Sequence, residues 1–265
     1  MTSAVIVLAI DTATAATTVG VLGPGIEMSR TVIDSHGHVE SLAPLVDEVL
    51  RDSGVDVGTI DVVACGVGPG PFTGLRVGVA TAIAWGAVRQ VPIVGVGTHD
   101  VLARAAVREW HARVDDGPQA AVLVATPARR VECHVSHYDR GGHRVSGPLV
   151  LTHDETRVAI EESDAIVAGD AGPLLVADLI DARRGPRYPD AIDLAAIVHE
   201  RHEAGEEWPQ AGDIDIDLDP ATTRGESTAA YLDRRFSAGH LLLPARPLYL
   251  RQPDAVPSAA SEIAR

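Results

Sequence analysis

The first 96 residues set β-branched runs between turn residues in an order that few topologies admit. Residues 4–10 (AVIVLAI) form a continuous apolar run, which by length and branching describes a strand buried on both faces. A short turn, Asp11 to Ala16, leads to a second strand, Thr17 to Leu22, and Pro24-Gly25 turns the chain into a third, Ile26 to Ile33. The pattern then predicts a helix over about His38 to Arg51, closed by Gly54, and a strand from Ile60 to Val67. A helix over about Thr73 to Gln90 and a strand from Ile93 to Val96 follow. The order β-β-β-α-β-α-β is a hairpin meander feeding two right-handed crossovers, and predicts a mixed five-stranded sheet with helices on it.

After a helix near 98–111 and the linker Asp115-Asp116-Gly117-Pro118, the order begins again. Ala120 to Val124, Val131 to Tyr138 and Val145 to Leu151 read as strands, followed by a helix at 154–161, strand Ala165 to Ala168 and a helix after Gly172-Pro173. The chain is thus expected to hold two copies of one α/β topology, residues 1–114 and a reduced second copy in 115–265. Beyond a helix near Leu194 to Ala204, residues 205–240 are expected to be an irregular acidic insertion. Its alternating run Asp213 to Asp219 suits an edge strand better than a calcium loop. Prolines extend the tail Pro247 to Pro253.

Composition removes several chemistries. All 22 basic residues are arginine, with no lysine and no asparagine in the chain, so a G-x-x-x-x-G-K-[ST] phosphate loop, a Schiff base and a lysine general base are excluded. With 37 acidic residues the formal charge is −15, so nucleic acid is not drawn to the chain unaided and a basic partner must supply any RNA contact. Two cysteines, Cys65 and Cys133, make no disulfide framework and suggest a reducing compartment. Residues 4–10 are too short for a signal core or a membrane span, and Met1-Thr2-Ser3 carries no basic flank, so a cytoplasmic protein without membrane contact is expected.

Two segments invite phosphate chemistry. Gly66 to Arg76 (GVGPGPFTGLR) lies between a strand and a helix, where Gly68, Gly70 and Gly74 let backbone approach a ligand and Thr73 sits among amides that face an anion. Pro69 and Pro71 each remove an N–H, and the alternative is a structural turn. Asp11, Thr12 and Thr14 at the tip of the first hairpin would face that loop across a cleft, as a magnesium-dependent phosphotransferase requires, or else satisfy their own turn. A two-metal nuclease is excluded because the strand starting at Asp61 ends in Cys65-Gly66, and Cys65 reads as a small core residue. His36 and His38 point in different directions on a helix, while His199 and His202, three apart, could share an ion but fall one residue short of H-E-x-x-H, so solvated surface histidines are expected.

The two helices of the first copy carry more. Val77 to Val88 is twelve residues without a charge, with Gly78, Ala80, Ala82, Ala84, Gly86 and Ala87 smoothing its surface. The preceding helix puts Val39, Leu42, Val46 and Val49 on one stripe beside Leu45 and Leu50. That is more apolar surface than one sheet face needs, so one side of the pair is expected to meet a second subunit.

Three stretches carry a resemblance. Ala9-Ile10-Asp11-Thr12-Ala13-Thr14, Gly68-Pro69-Gly70-Pro71-Phe72-Thr73-Gly74-Leu75-Arg76-Val77-Gly78 and Pro247-Leu248-Tyr249-Leu250-Arg251 resemble the TsaB (YeaZ) family. The family serves the synthesis of N6-threonylcarbamoyladenosine at position 37 of tRNA. The resemblance implies a duplicated RNase H-like fold of the actin/Hsp70/sugar-kinase type, its second copy reduced. It implies a non-catalytic subunit that pairs with the transferase TsaD through a helical bundle, is joined by TsaE, meets tRNA only within the complex, and forms a homodimer without TsaD. It implies no cofactor of the chain's own, with any ATP or ADP held weakly at the interface of the complex. It would put His38, Leu42, Leu45, Val46 and Val49 with Leu75, Arg76, Val79, Ala80 and Ile83 near the TsaD contact. Two departures stand out: Leu42 lies where TsaD relatives complete an H-x-x-x-H metal motif after His38, and Pro127 to His134 (PARRVECH) lacks the family's flanking Asp and Tyr.

Overall fold

The computed structural model describes residues 5–113, 120–171, 183–208, 242–243, 245 and 247–248. The expected linker at 115–118, the helix after Gly172-Pro173, most of the acidic insertion and the end of the tail lie outside them. The first sheet comprises β1 (Val7–Asp11), β2 (Ala16–Gly23), β3 (Ile26–Ile33), β4 (Val62–Gly66) and β5 (Ile93–Val96) in the order β3-β2-β1-β4-β5. β1 runs antiparallel to β2 and parallel to β4, and β5 is parallel to β4, as the meander and two crossovers require. The second sheet holds β6 (Val122–Pro127), β7 (Glu132–Tyr138), β8 (Arg144–Thr152) and β9 (Ile166–Ala168) in the order β8-β7-β6-β9. Strand for strand this repeats the first sheet less its fifth member among the described residues. The expected duplicated RNase H-like arrangement with a reduced second copy is the observed one.

Both faces of the first sheet are covered at its centre, which is why β1, β4 and β5 are buried along their whole length. On one face α1 (His38–Ser53) and α2 (Phe72–Arg89) bury Leu42, Leu45, Val46, Val49, Val79 and Ala82 against Leu8, Ile10, Val63 and Cys65. On the other, α5 (Ala191–Glu203) sets Leu194, Ala195 and Val198 against Val7, Ala9, Val62 and Ala64. The approach is close enough that a Cβ at Gly20 would lie 2.9 Å from that of Ala191. Gly54 closes α1 at φ 69°, the left-handed C-terminus expected of it. The Leu243 and Gly95 amides and carbonyls bond reciprocally at 2.6 and 2.8 Å, and the Leu248 N–H donates to the Val67 carbonyl at 2.7 Å. Leu243 is thereby paired with β5, and Leu248 with the residue that follows β4.

The helices do not stay with the sheet that precedes them. α3 (Thr98–Arg113) follows β5 yet packs Leu102, Ala103 and Ala106 on the second sheet against Val122, Val124 and Tyr138, while α5, from the second copy, packs on the first. Each half lends a helix to the other's sheet. α4 (His153–Glu162) covers the opposite face of the second sheet with Ile160. It is started by a reciprocal capping box between Thr152 and Glu155.

Candidate functional site

β1 and β4 are parallel neighbours, so the hairpin tip after β1 and the glycine loop after β4 lie at the same end of the sheet. Asp11 is completely buried there. Its Oδ1 accepts the Ala13 N–H at 2.7 Å and its Oδ2 the Thr98 hydroxyl at 2.9 Å, while the Thr98 oxygen accepts the Gly68 N–H at 3.2 Å. Burial pushes the Asp11 carboxyl up to about 6, against the pull of those two hydrogen bonds. Burial, with the Asp11 charge beside it, also holds the Cys65 thiol far above its ordinary range, so Cys65 is an inert core group. A Cβ at Gly66 would sit 1.9 Å from Asp11 Oδ2, so the carboxylate occupies the room a side chain would take.

The remaining glycines are explained by the same hairpin. The Thr12 hydroxyl donates to the Gly74 carbonyl at 2.7 Å and accepts the Gly78 N–H at 3.0 Å, bridging one turn of α2. A Cβ would come within 2.3 Å of the Thr12 carbonyl oxygen at Gly74, 2.4 Å of Thr12 Oγ1 at Gly78, and 1.9 Å of the Ala13 carbonyl oxygen at Gly70. Backbone is pressed on backbone between tip and loop. The structure therefore brings Asp11, Thr12, Gly68, Gly70 and Gly74 together through close packing and hydrogen bonds. Thr14 turns back to accept the Ala16 N–H at 3.2 Å, and Thr73 is exposed on the first turn of α2.

His38, at the start of α1, bonds Thr17 Oγ1 through Nδ1 at 2.7 Å, and its Nε2 lies over Gly74, 3.3 Å from where a Cβ would be. Burial pushes its pKa down, partly offset by Asp34. His38 ties α1, β2 and α2 together, and Leu42 beyond it belongs to the core. His202 stacks on Trp208 with ring centroids 4.6 Å apart. Among the described residues no three His, Cys, Asp or Glu side chains converge as a metal site needs.

The residues expected at a partner contact divide sharply. His38, Leu42, Leu45, Val46, Val49, Leu75 and Val79 are all buried within the chain. The apolar stripes of α1 and α2 are consumed by their own sheet and by each other, so these seven lie beneath the helical surface. Arg76 and Ala80 are exposed and Ile83 is half-buried. Val39, read as part of the apolar stripe, is 64% exposed, whereas its neighbour His38 takes the inward position on the first turn of α1. The outward side of α2 also shows Ala84, Ala87 and Val88, the last 82% exposed. These were legible only as members of a charge-free run.

A second buried polar cluster has no counterpart in the sequence reading. His99 Nδ1 bonds Ser136 Oγ at 2.8 Å and Nε2 bonds Thr126 Oγ1 at 2.9 Å, and burial holds this imidazole neutral, well below its ordinary pKa. Next to it Asp100 takes a forked contact from Arg144, through Nε at 3.1 Å and through Nη2, and accepts the Tyr138 hydroxyl at 2.9 Å. Arg144 and Asp100 are both buried. This cluster joins the start of α3 to β6, β7 and β8. Its one sequence signal was three polar residues, Thr98-His99-Asp100, opening a helix.

Comparison with known proteins bears on this geometry. The family model described as TsaD, tRNA N6-adenosine threonylcarbamoyltransferase, matches residues 32–163. The chain is 41% identical over 150 residues to an uncharacterized protein of Mycobacterium leprae, covering 55% of this chain and 38% of that one. To the tRNA threonylcarbamoyladenosine biosynthesis protein TsaB of Escherichia coli it is 33% identical over 134 residues, 51% of this chain and 55% of the relative. The chain thus spans between about a third and two thirds of the length of such curated relatives. In structure it resembles YeaZ from Pseudomonas aeruginosa with a TM-score of 0.60 and 28% identity, over 76% of this chain and 94% of that one.

Proposed function

Taking as premise that the chain is of the TsaB/YeaZ type, we propose that it acts in the threonylcarbamoylation of tRNA as an accessory subunit without an active site of its own. It docks on a TsaD-type transferase through the outer face of α1 and α2, is joined by a TsaE-type ATPase, and meets tRNA only within that cytoplasmic complex. One observation supports the docking face above others: the exposed side of α2 from Ala80 to Val88 bears no charge, although nothing among the described residues covers it. Apolar, small side chains let a second helix approach closely. The lack of catalysis is supported by the engagement of Asp11 with Ala13 and Thr98 and by the close approach of the Ala13 carbonyl to Gly70. A phosphotransferase reading has no comparable observation in its favour.

Two measurements test this. In an omission assay with tRNA, threonylcarbamoyl-adenylate, ATP and the TsaD- and TsaE-type proteins of the same organism, modified adenosine is expected only when this chain is added. Equal product without it refutes the assignment. The contact itself is probed at Ala84. Glutamate at Leu45 or Val79, the substitutions that the buried stripe first suggests, would place a charge in the chain's own core and unfold it. Ala84→Arg leaves that core untouched, and is expected to abolish the complex with the folded chain intact.

A further inference from the structure

α2 is apolar on almost every side. Gly74, Gly78, Ala82 and Gly86 form a buried ridge beside Leu75 and Val79, and the half-buried Val77, Ile83 and Trp85 continue the apolar surface around the helix. Ala80, Ala84 and Val88 stand about 200° from that ridge and are exposed. Apolar burial has no direction of its own, so it fixes the rotation of such a helix only broadly. At the far end Gly86 rests on Ile93, where a Cβ would come within 2.2 Å of Cγ1, a contact of shape alone. The directional contacts come from the hairpin tip. Thr12 is buried, and its hydroxyl donates to the Gly74 carbonyl and accepts the Gly78 N–H. A regular α-helix bonds that carbonyl and that N–H to each other, so neither needs Thr12 in order to be satisfied. Only glycine admits the contact, because a Cβ at Gly74 or Gly78 would meet Thr12 at 2.3 or 2.4 Å.

Resting on the docking reading above, we propose that Thr12 is a positioning residue for partner binding: its hydroxyl pins the rotation of α2, so that Ala80, Ala84 and Val88 face the transferase. A hydroxyl whose two partners can bond each other adds little to stability. Set into the helix ladder, it governs how the helix lies. The pin is itself held. Asp11 accepts the Thr98 hydroxyl at 2.9 Å, and the Thr98 N–H donates to the Gly68 carbonyl at 2.8 Å, which ties the hairpin tip to the loop that leads into α2.

The test compares Thr12→Ser, which keeps the hydroxyl, with Thr12→Ala, which lacks it; both lack the methyl group. In the full chain carrying Ala82→Cys, labelling of the new thiol by a maleimide reads whether the buried ridge turns outward, over the background of the buried Cys65 and Cys133. Labelling is expected to be about tenfold faster in Thr12→Ala than in Thr12→Ser, with melting temperatures alike. Without the added cysteine, Thr12→Ser is expected to bind the TsaD-type transferase as wild type does, and Thr12→Ala about tenfold more weakly. Equal labelling or equal affinity in the two variants overturns the proposal, as does a loss of affinity that a lower melting temperature of Thr12→Ala accounts for. Ala84→Arg separates the two readings. If it spares the wild-type complex the docking face itself is wrong, whereas if it breaks the complex while Thr12→Ala binds as wild type, only the pin falls.

Discussion

An alanine at position 78 is expected to change the sign of its effect with the residue at position 12. Its methyl would lie 2.4 Å from Thr12 Oγ1 and 3.5 Å from the Cβ and Cγ2 of Thr12. In the wild-type background Gly78→Ala gains about 1 kcal/mol of helix propensity, loses about 1–3 kcal/mol to overpacking, and strains the Gly78 N–H bond to Oγ1, worth about 1 kcal/mol. The net expectation is a loss of about 1–3 kcal/mol. Thr12→Ala removes the oxygen and leaves Cβ at an ordinary contact distance, so in that background Gly78→Ala should stabilise by about 1 kcal/mol. Urea unfolding of the four proteins in a double-mutant cycle reads a coupling of about 2–4 kcal/mol. If Gly78→Ala is equally destabilising in both backgrounds, the glycine is not there to admit Thr12, and the packing account of the loop fails.

Gly74→Ala should destabilise the chain with or without the Thr12 side chain, because its obstacle is the Thr12 backbone oxygen at 2.3 Å; rescue in the same cycle would contradict the geometry. Asp11 has its carboxyl raised from 3.8 to about 6 in the folded state, so the fold favours its protonated form. That contribution, about 3 kcal/mol at 1.36 kcal/mol per unit, is full below pH about 4 and lost as pH rises through about 6. Unfolding of wild type against Asp11→Asn across this window should show the loss in wild type alone, and parallel curves would remove Asp11 as its source. Arg144→Met strands the buried Asp100 charge and should cost about 3–5 kcal/mol by denaturant titration, whereas a loss under 1 kcal/mol would mean that water reaches Asp100.

The strands of both sheets and the approximate extents of α1 and α4 were legible because each is a local matter. β-branched runs and a closing glycine such as Gly54 act within a few residues. The loop was legible as a place where backbone is approached closely, but not as to what approaches it. Glycine reports the absence of a side chain, and the Ala13 carbonyl that fills the space is 57 residues away in sequence. Seven of the ten residues expected at a partner contact are buried within the chain for a related reason. Periodicity identifies Leu42, Leu45, Val46 and Val49 as a face that must be buried, and cannot say whether a sheet or a second protein buries it.

By itself, then, the sequence determined the order and hand of the strands, through turn chemistry and side-chain alternation, and it closed off lysine chemistry by having no lysine. Only the tertiary structure decided that α3 and α5 exchange sheets, that Asp11 is held by Thr98, and that Ala84 and Val88 rather than Leu45 and Val79 meet whatever lies outside. Local propensity sets what each segment is. Which surfaces meet depends on the close packing of elements distant in the chain, where a fraction of an ångström at Gly70, Gly74 or Gly78 settles which arrangement fits.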